Sequence, residues 1–255
     1  MSFSTEVKAE LCRVPMQRAC RTRAEAYGVL LHASVFSHKE IRLSTENVFV
    51  ARRLQALLQR AFSVDCAPQR AGRKLQHTVG EPAQIARIFD VLGYDLKSHL
   101  AYHLNRNVLE NDCCVAAFLR GAFLMAGTVA GPDKKSHLEL KAGRQSLAGE
   151  ETSLLLDLGL SPKQARRGNS CLLYFKEGAS VEDFLTRIGA PRAAMELMQA
   201  KVEKNIRNTI NRQVNCETAN LMKAADASAR QVAAIRAVLD RRGEEAFPEA
   251  LRETV

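Results

Sequence analysis

Apolar residues along this chain switch between two periods, and the switches mark out its elements. Val7, Glu10 and Leu11 fall at helical spacing behind Ser4 or Thr5, so residues 4–13 are predicted as a first helix. Ala26, Val29, Leu30 and Ala33 line one face of a second helix, from about 22 to 33. Period-two alternation then begins: Val35 and Phe36, then Ile41, Leu43 and Thr45, read as the strands of a short hairpin. Asn47 can cap a helix through about 61 whose apolar face is Val50, Leu54, Leu57 and Leu58. Val64 and Cys66 alternate again, as do Leu75, His77 and Val79, giving a second strand pair around the basic turn 70–74. Ile85, Ile88, Phe89 and Leu92 define a helix over 82–92, with Pro82 in its first turn and Gly93 as its stop.

After a polar, less regular stretch the pattern restarts. A helix is expected from 114 to 126, a turn at Gly127, and strands at 128–130 and 137–140 around the turn Gly131-Pro132-Asp133. A helix over 146–158 follows, then strands at 165–167 and 171–175, then a short helix from Ser180 to Ile188. Gly28 and Gly121 lie 93 residues apart, and Ala33/Ala126 and Ser34/Gly127 share that offset. Two such glycines at matched positions let two helices cross with their backbones close, because neither carries a side chain. The domain reading is a first repeat at 1–93, a connector at 94–113 and a second repeat at 114–190. A basic linker helix at 191–214 and a further helical region from 215 to 255 complete it. The class is α+β: two helix/β-hairpin repeats about a pseudo-twofold axis, then helices.

Composition changes this picture in three places. Net charge is +9, from 37 Lys and Arg against 28 Asp and Glu, which favours an anionic partner. The seven Cys are odd in number, lack a CxxC pair and mostly adjoin apolar residues, so they read as reduced thiols in a cytosol. The N-terminal residues lack an apolar signal core, and the most apolar run, 115–130, is broken by Arg120 and by glycines, so no membrane segment is expected.

None of the phosphate-loop, nucleophile-elbow or zinc-protease patterns occurs. A metal-dependent nuclease on a pseudo-dyad needs acids at the ends of its two central helices. Those ends read Leu31-His-Ala-Ser34 and Leu124-Met-Ala-Gly127, so no catalytic residue, cofactor or metal site is expected. Candidate phosphate contacts are Arg52, Arg53, Arg70, Arg73, Lys74, Arg166 and Arg167, on helices or hairpin turns. A second set, Lys201, Lys204, Arg207, Asn208, Asn211 and Arg212, recurs at spacings of three and four. The competing reading of that helix is a linker packed through Val202, Ile206 and Ile210.

Three stretches carry a family resemblance: the opening MSFSTEVKAEL, the central CVAAFLRGAFLMAGTVAGPDKKSHLEL, and RNTINRQVNCETANLMKAADASARQVAAI. The chain resembles the WhiA family of bacterial regulators of sporulation and cell division. The resemblance implies a LAGLIDADG homing-endonuclease-like domain followed by a helix-turn-helix domain. It places the two signature helices at 26–34 and 119–127, with Ala33 and Ala126 where active nucleases carry metal-binding acids, and it leaves Gly28, Gly121 and Gly127 in structural roles. It further implies a non-catalytic, cytoplasmic, nucleoid-associated protein that binds double-stranded DNA and acts in transcription, cell division, sporulation and chromosome segregation. The helix-turn-helix is expected mostly beyond residue 255, so the C-terminal module is expected to be truncated here. The other reading is a protein-interaction scaffold whose nuclease-like domain contacts another transcription regulator.

Overall fold

The computed structural model describes residues 2–95, 103–168 and 170–252. Two compact units divide the chain, Met1–Ala200 and Lys201–Val255.

The first unit runs α1 (Phe3–Leu11), α2 (Ala19–Leu31), β1 (Val35–Phe36), β2 (Ile41–Thr45), α3 (Val48–Phe62), β3 (Gln69–Ala71), β4 (Lys74–Val79) and α4 (Pro82–Val91). A short 3-10 turn, Arg106–Val108, leads into the second pass. That pass is α5 (Asp112–Ala126), β5 (Gly127–Val129), β6 (Leu138–Ala142), α6 (Gln145–Asp157), β7 (Lys163–Arg167), β8 (Ser170–Phe175) and α7 (Gly178–Ile188). The two antiparallel sheets have the same strand order, β1-β2-β4-β3 and β5-β6-β8-β7. The repeat read from paired glycines is therefore a repeat of topology.

The central helices are α2 and α5, and their mutual contact is the most extensive between any two helices of the fold. Residues 24–31 of α2 are all buried, which is the mark of an interior helix rather than an amphipathic surface one. Side chains built on Gly28 would run into the Phe118 carbonyl and sit 2.9 Å from the Ala122 nitrogen. Those built on Gly121 would meet the Glu25 carbonyl and sit 3.0 Å from the Val29 nitrogen. Each glycine thus faces the other helix's backbone, as the matched offset predicted. At Gly127 an added methyl would enter the Phe123 ring. That residue starts β5 rather than forming a turn.

The inner sheet faces, Ile41, Leu43 and Val79 in one repeat and Leu138, Leu140 and Leu173 in the other, join a single apolar core with the helices. Asn47 caps α3 as expected, accepting from the Phe49 and Val50 N–H groups. Other expectations shift. Val64 and Cys66 are buried but lie outside any strand, and the hairpin partner of β4 is Gln69–Ala71, so only Gly72 and Arg73 form the turn. The expected connector reaches only to Asn111, because α5 begins at Asp112, and its residues 96–102 lie outside the described set. Asn105 anchors the rest, capping the 3-10 turn and donating to the Leu92 carbonyl at 2.9 Å.

α8 (Pro191–Arg242) starts in the first unit and supplies most of the second. Its first free N–H groups, those of Arg192 and Ala193, donate to the Glu10 carboxylate at 2.9 and 3.1 Å. A carboxylate there satisfies orphan donors and the helix dipole together. The linker helix expected at 191–214 and the start of the helical region expected from 215 are one helix. The reason lies in composition, for no Gly or Pro falls between Pro191 and Gly243. Gly243, at φ 70°, ends it. A 3-10 turn (Glu244–Ala246) and α9 (Glu249–Arg252) follow.

Candidate nucleic-acid interface

Both central helices end in alanine where a metal-dependent nuclease would need an acid. α2 closes on His32 and Ala33, and α5 closes on Ala126 before Gly127. Two carboxylates do approach these ends, and each is engaged. Glu151 of α6 lies 3.2 Å from His32 Nε2, with both side chains fully buried. That contact lacks hydrogen-bond alignment, so charge holds the pair. Burial is the largest influence on the His32 pKa and pulls it down, but the charge and close approach of Glu151 and the Gly28 carbonyl 3.0 Å from Nδ1 together outweigh it and raise the value. Glu139 of β6 accepts from the Thr128 hydroxyl at 3.2 Å and pairs with His137 at 3.4 Å. Neither acid belongs to a cluster of metal-ligating carboxylates among the described residues.

Strand register decides which side chains leave the core. On the first sheet, Ile41, Leu43, His77 and Val79 point inward, so Arg42, Ser44, Gln76 and Thr78 form the outer face. Lys74 shares that face with Ala71, and Arg73 sits in the adjoining turn. On the second sheet, Leu138, Leu140, Leu173 and Phe175 point inward, and Glu139, Lys141, Lys163, Arg167, Ser170 and Leu172 point out. Ala126, Thr128, Glu139, Lys141, Arg167, Ser170 and Leu172 line a hollow of about 330 Å³ on that outer face. The structure therefore brings Arg167 and the alanine tip of α5 into one depression, together with Lys141 and Glu139.

Sequence reading missed Lys141 and Glu139, although the alternation Leu138-Glu-Leu-Lys-Ala142 marks them as the outward pair. Arg70 and Arg166 are exposed but pair with the inward-register residues Leu75 and Cys171, so they lie at the rim of their hairpins. Arg52 is exposed on α3, the helix that packs against the core side of the first sheet, away from its outer face.

Arg53 does not reach any surface. Its guanidinium forms a bidentate pair with Glu25, one arm of which is 2.8 Å, and its Nη1 donates to the Cys12 and Val14 carbonyls at 2.9 and 2.8 Å. Arg120 completes the group at 3.3 Å from Glu25. This buried triad joins α2, α3 and α5. Burial draws the Arg120 pKa down, while the Glu25 charge opposes that. The reading of Arg53 as a phosphate contact is corrected: position 53 falls in the apolar stripe of α3, between Val50 and Leu57.

In the second unit, Lys201, Lys204, Arg207, Asn208, Asn211 and Arg212 are all exposed on α8. Val202, Ile206 and Ile210, the residues expected to pack this helix, are each more than half exposed.

Two four-strand sheets of the same strand order around a crossed helix pair define the class as the LAGLIDADG-type fold, here with Ala33 and Ala126 at the helix tips. A crystal structure of the homing endonuclease I-DmoI with DNA and Ca shares that fold at TM-score 0.51 and 14% identity, covering 70% of this chain and 98% of the other. The WhiA LAGLIDADG-like domain profile matches residues 115–207, and the WhiA C-terminal HTH domain profile matches 210–255. A curated relative from Ruminiclostridium cellulolyticum, "Probable cell division protein WhiA", is 36% identical over 264 residues, covering 99% of this chain and 84% of its own length. Full-length DUF199/WhiA from Thermatoga maritima aligns at TM-score 0.72 and 24% identity, over 99% of this chain and 84% of that one. The chain belongs to the WhiA family. At the tips of its two central helices the chain carries Ala33 and Ala126. The match at 210–255 overturns the expectation that the C-terminal module is missing: it begins within α8 and is represented in this chain. Among the described residues no helix is long and apolar enough to cross a membrane.

Proposed function

We propose that this protein binds double-stranded DNA without cutting it and regulates transcription in cell division, sporulation and chromosome segregation, at the nucleoid in the cytoplasm. The observation that carries the reading is the depression at the α5 tip, where Lys141 and Arg167 flank Ala126. Cationic side chains on an outward sheet face meet phosphates, Ala126 puts no carboxylate at the tip itself, and the neighbouring Glu139 is engaged by Thr128 and His137. Phosphate contact of this kind positions a duplex but does not read its sequence. Sequence choice falls to the second unit, where the helix-turn-helix profile matches and where Asn208 and Asn211 offer amides suited to base edges.

A labelled duplex titrated with the whole chain at about 50 and about 200 mM salt tests this. Binding is expected at the lower salt and should weaken by about 10³-fold at the higher if six or so phosphates are engaged. Absence of binding at the lower salt overturns the DNA reading.

A further inference from the structure

Three thiols meet where the two central helices begin. Cys20 is the second residue of α2, and Cys113 and Cys114 are the second and third residues of α5. Cys20 and Cys113 are separated by 93 residues, the same offset as Gly28 and Gly121, so the pseudo-dyad itself makes them partners. The three sulfurs lie within 4.8 Å of one another, and all are free thiols. Packing explains one of them. Cys114 is buried and serves as a small apolar side chain, but Cys20 is exposed and Cys113 is half-exposed. An exposed and a half-exposed thiol beside a third have no packing reason to converge.

Their surroundings act in opposite directions: burial pushes the Cys114 thiol up to about 11, while the Arg21 guanidinium lowers that of Cys113. The positive ends of two helix dipoles point at the cluster. The Arg21 guanidinium beside Cys113, with Arg18 nearby, adds positive charge from the start of α2. Sulfurs bound to zinc at about 2.3 Å in tetrahedral array stand roughly 3.8 Å apart, so the observed cluster needs to close by about 1 Å at most.

We propose that Cys20, Cys113 and Cys114 form a binding site for a thiophilic divalent cation of the zinc type, with a fourth position open to water or an added thiol. Three thiolates and one Zn²⁺ carry a net charge of −1, which the two arginines offset. The metal would tie the first turns of α2 and α5 together, at the end of the helix pair opposite the alanine tips. Because one position stays open, the site belongs with exchangeable metal sites rather than with closed four-ligand structural ones. This inference stands apart from the DNA reading, since it uses none of the same residues.

The test uses the whole chain, purified under reducing conditions, with zinc and then Co²⁺ as probes. One equivalent of zinc per chain is expected, and Co²⁺ should show thiolate-to-metal charge transfer with the visible bands of a tetrahedral ion. C20S and C113S change solvent-reachable positions, and circular dichroism checks that each is folded. Each should weaken zinc binding by at least about 100-fold, since even outer-shell changes cost about 10- to 100-fold. C216S, which alters an exposed cysteine of the second unit, should bind like the wild type. Zinc should raise the melting temperature of the wild type and not that of C20S. Substoichiometric zinc on the wild type, full binding by C20S and C113S, or a Cys20–Cys113 disulfide without zinc would each overturn the proposal.

Discussion

His32 shows how much a single residue's role depends on a partner remote in sequence. In the sequence it is one letter of a helix tip, beside the alanine that replaces an acid. Nothing in that stretch announces Glu151, which arrives from α6 and shares the same dry site. The pairing raises the folded His32 pKa above its ordinary value of about 6.5. A raised histidine contributes stability that is complete below the unfolded value and is lost as pH climbs through the folded one. Wild-type stability should therefore fall as pH rises above the ordinary histidine value of about 6.5, and H32Q should show a flatter profile there. Chemical denaturation at a series of pH values measures this; equal slopes for the two proteins would refute it. Arg53 teaches the opposite lesson. Its burial was legible, because Val50, Arg53 and Leu57 occupy one helical stripe, yet adjacency to Arg52 made the pair look like a surface patch.

At the scale of elements, the α2–α5 crossing rests on two missing side chains. A methyl at Gly28 or Gly121 meets backbone of the facing helix, which cannot rotate aside as a flexible side chain would. G28A and G121A should each destabilise by about 3 kcal/mol, the upper end of overpacking costs, as read by urea denaturation. The double variant should cost less than the two single costs added together, since once the helices have separated for one methyl the other is partly accommodated. A change under about 0.5 kcal/mol in both single variants would mean the helices cross more loosely than the structure shows. This contact was fully legible, because a repeat offset of 93 paired the glycines before any coordinates did. Strand boundaries were less so. Alternation at Val64 and Cys66 signals burial of every second side chain, but ladder hydrogen bonds also need a neighbouring strand, and β3 finds β4 only from Gln69. The boundary expected between 214 and 215 falls inside α8, in a stretch without any helix breaker.

For the molecule as a whole, a net charge of +9 favours an anionic partner but does not select the surface that would meet it. Three basic surfaces compete: the outer sheet faces of the first unit, the helical side bearing Arg52, and the exposed stripe of α8. Salt dependence separates them, because each lost phosphate contact lowers the slope of log K against log salt by about 0.9. Under the reading of the second sheet as a phosphate platform, K141E with R167E should reduce that slope by about 1.8 and weaken binding on all duplexes alike. R52E should leave the slope unchanged, since α3 packs on the core side of its sheet. K204E with R207E should reduce the slope as well if the second unit engages phosphates, and N211A should alter discrimination between duplexes more than the slope. A slope that responds only to the α8 substitutions would assign DNA contact to the second unit alone. The LAGLIDADG-like unit would then keep its nuclease shape without touching DNA, and the depression beside Ala126 would lose its role.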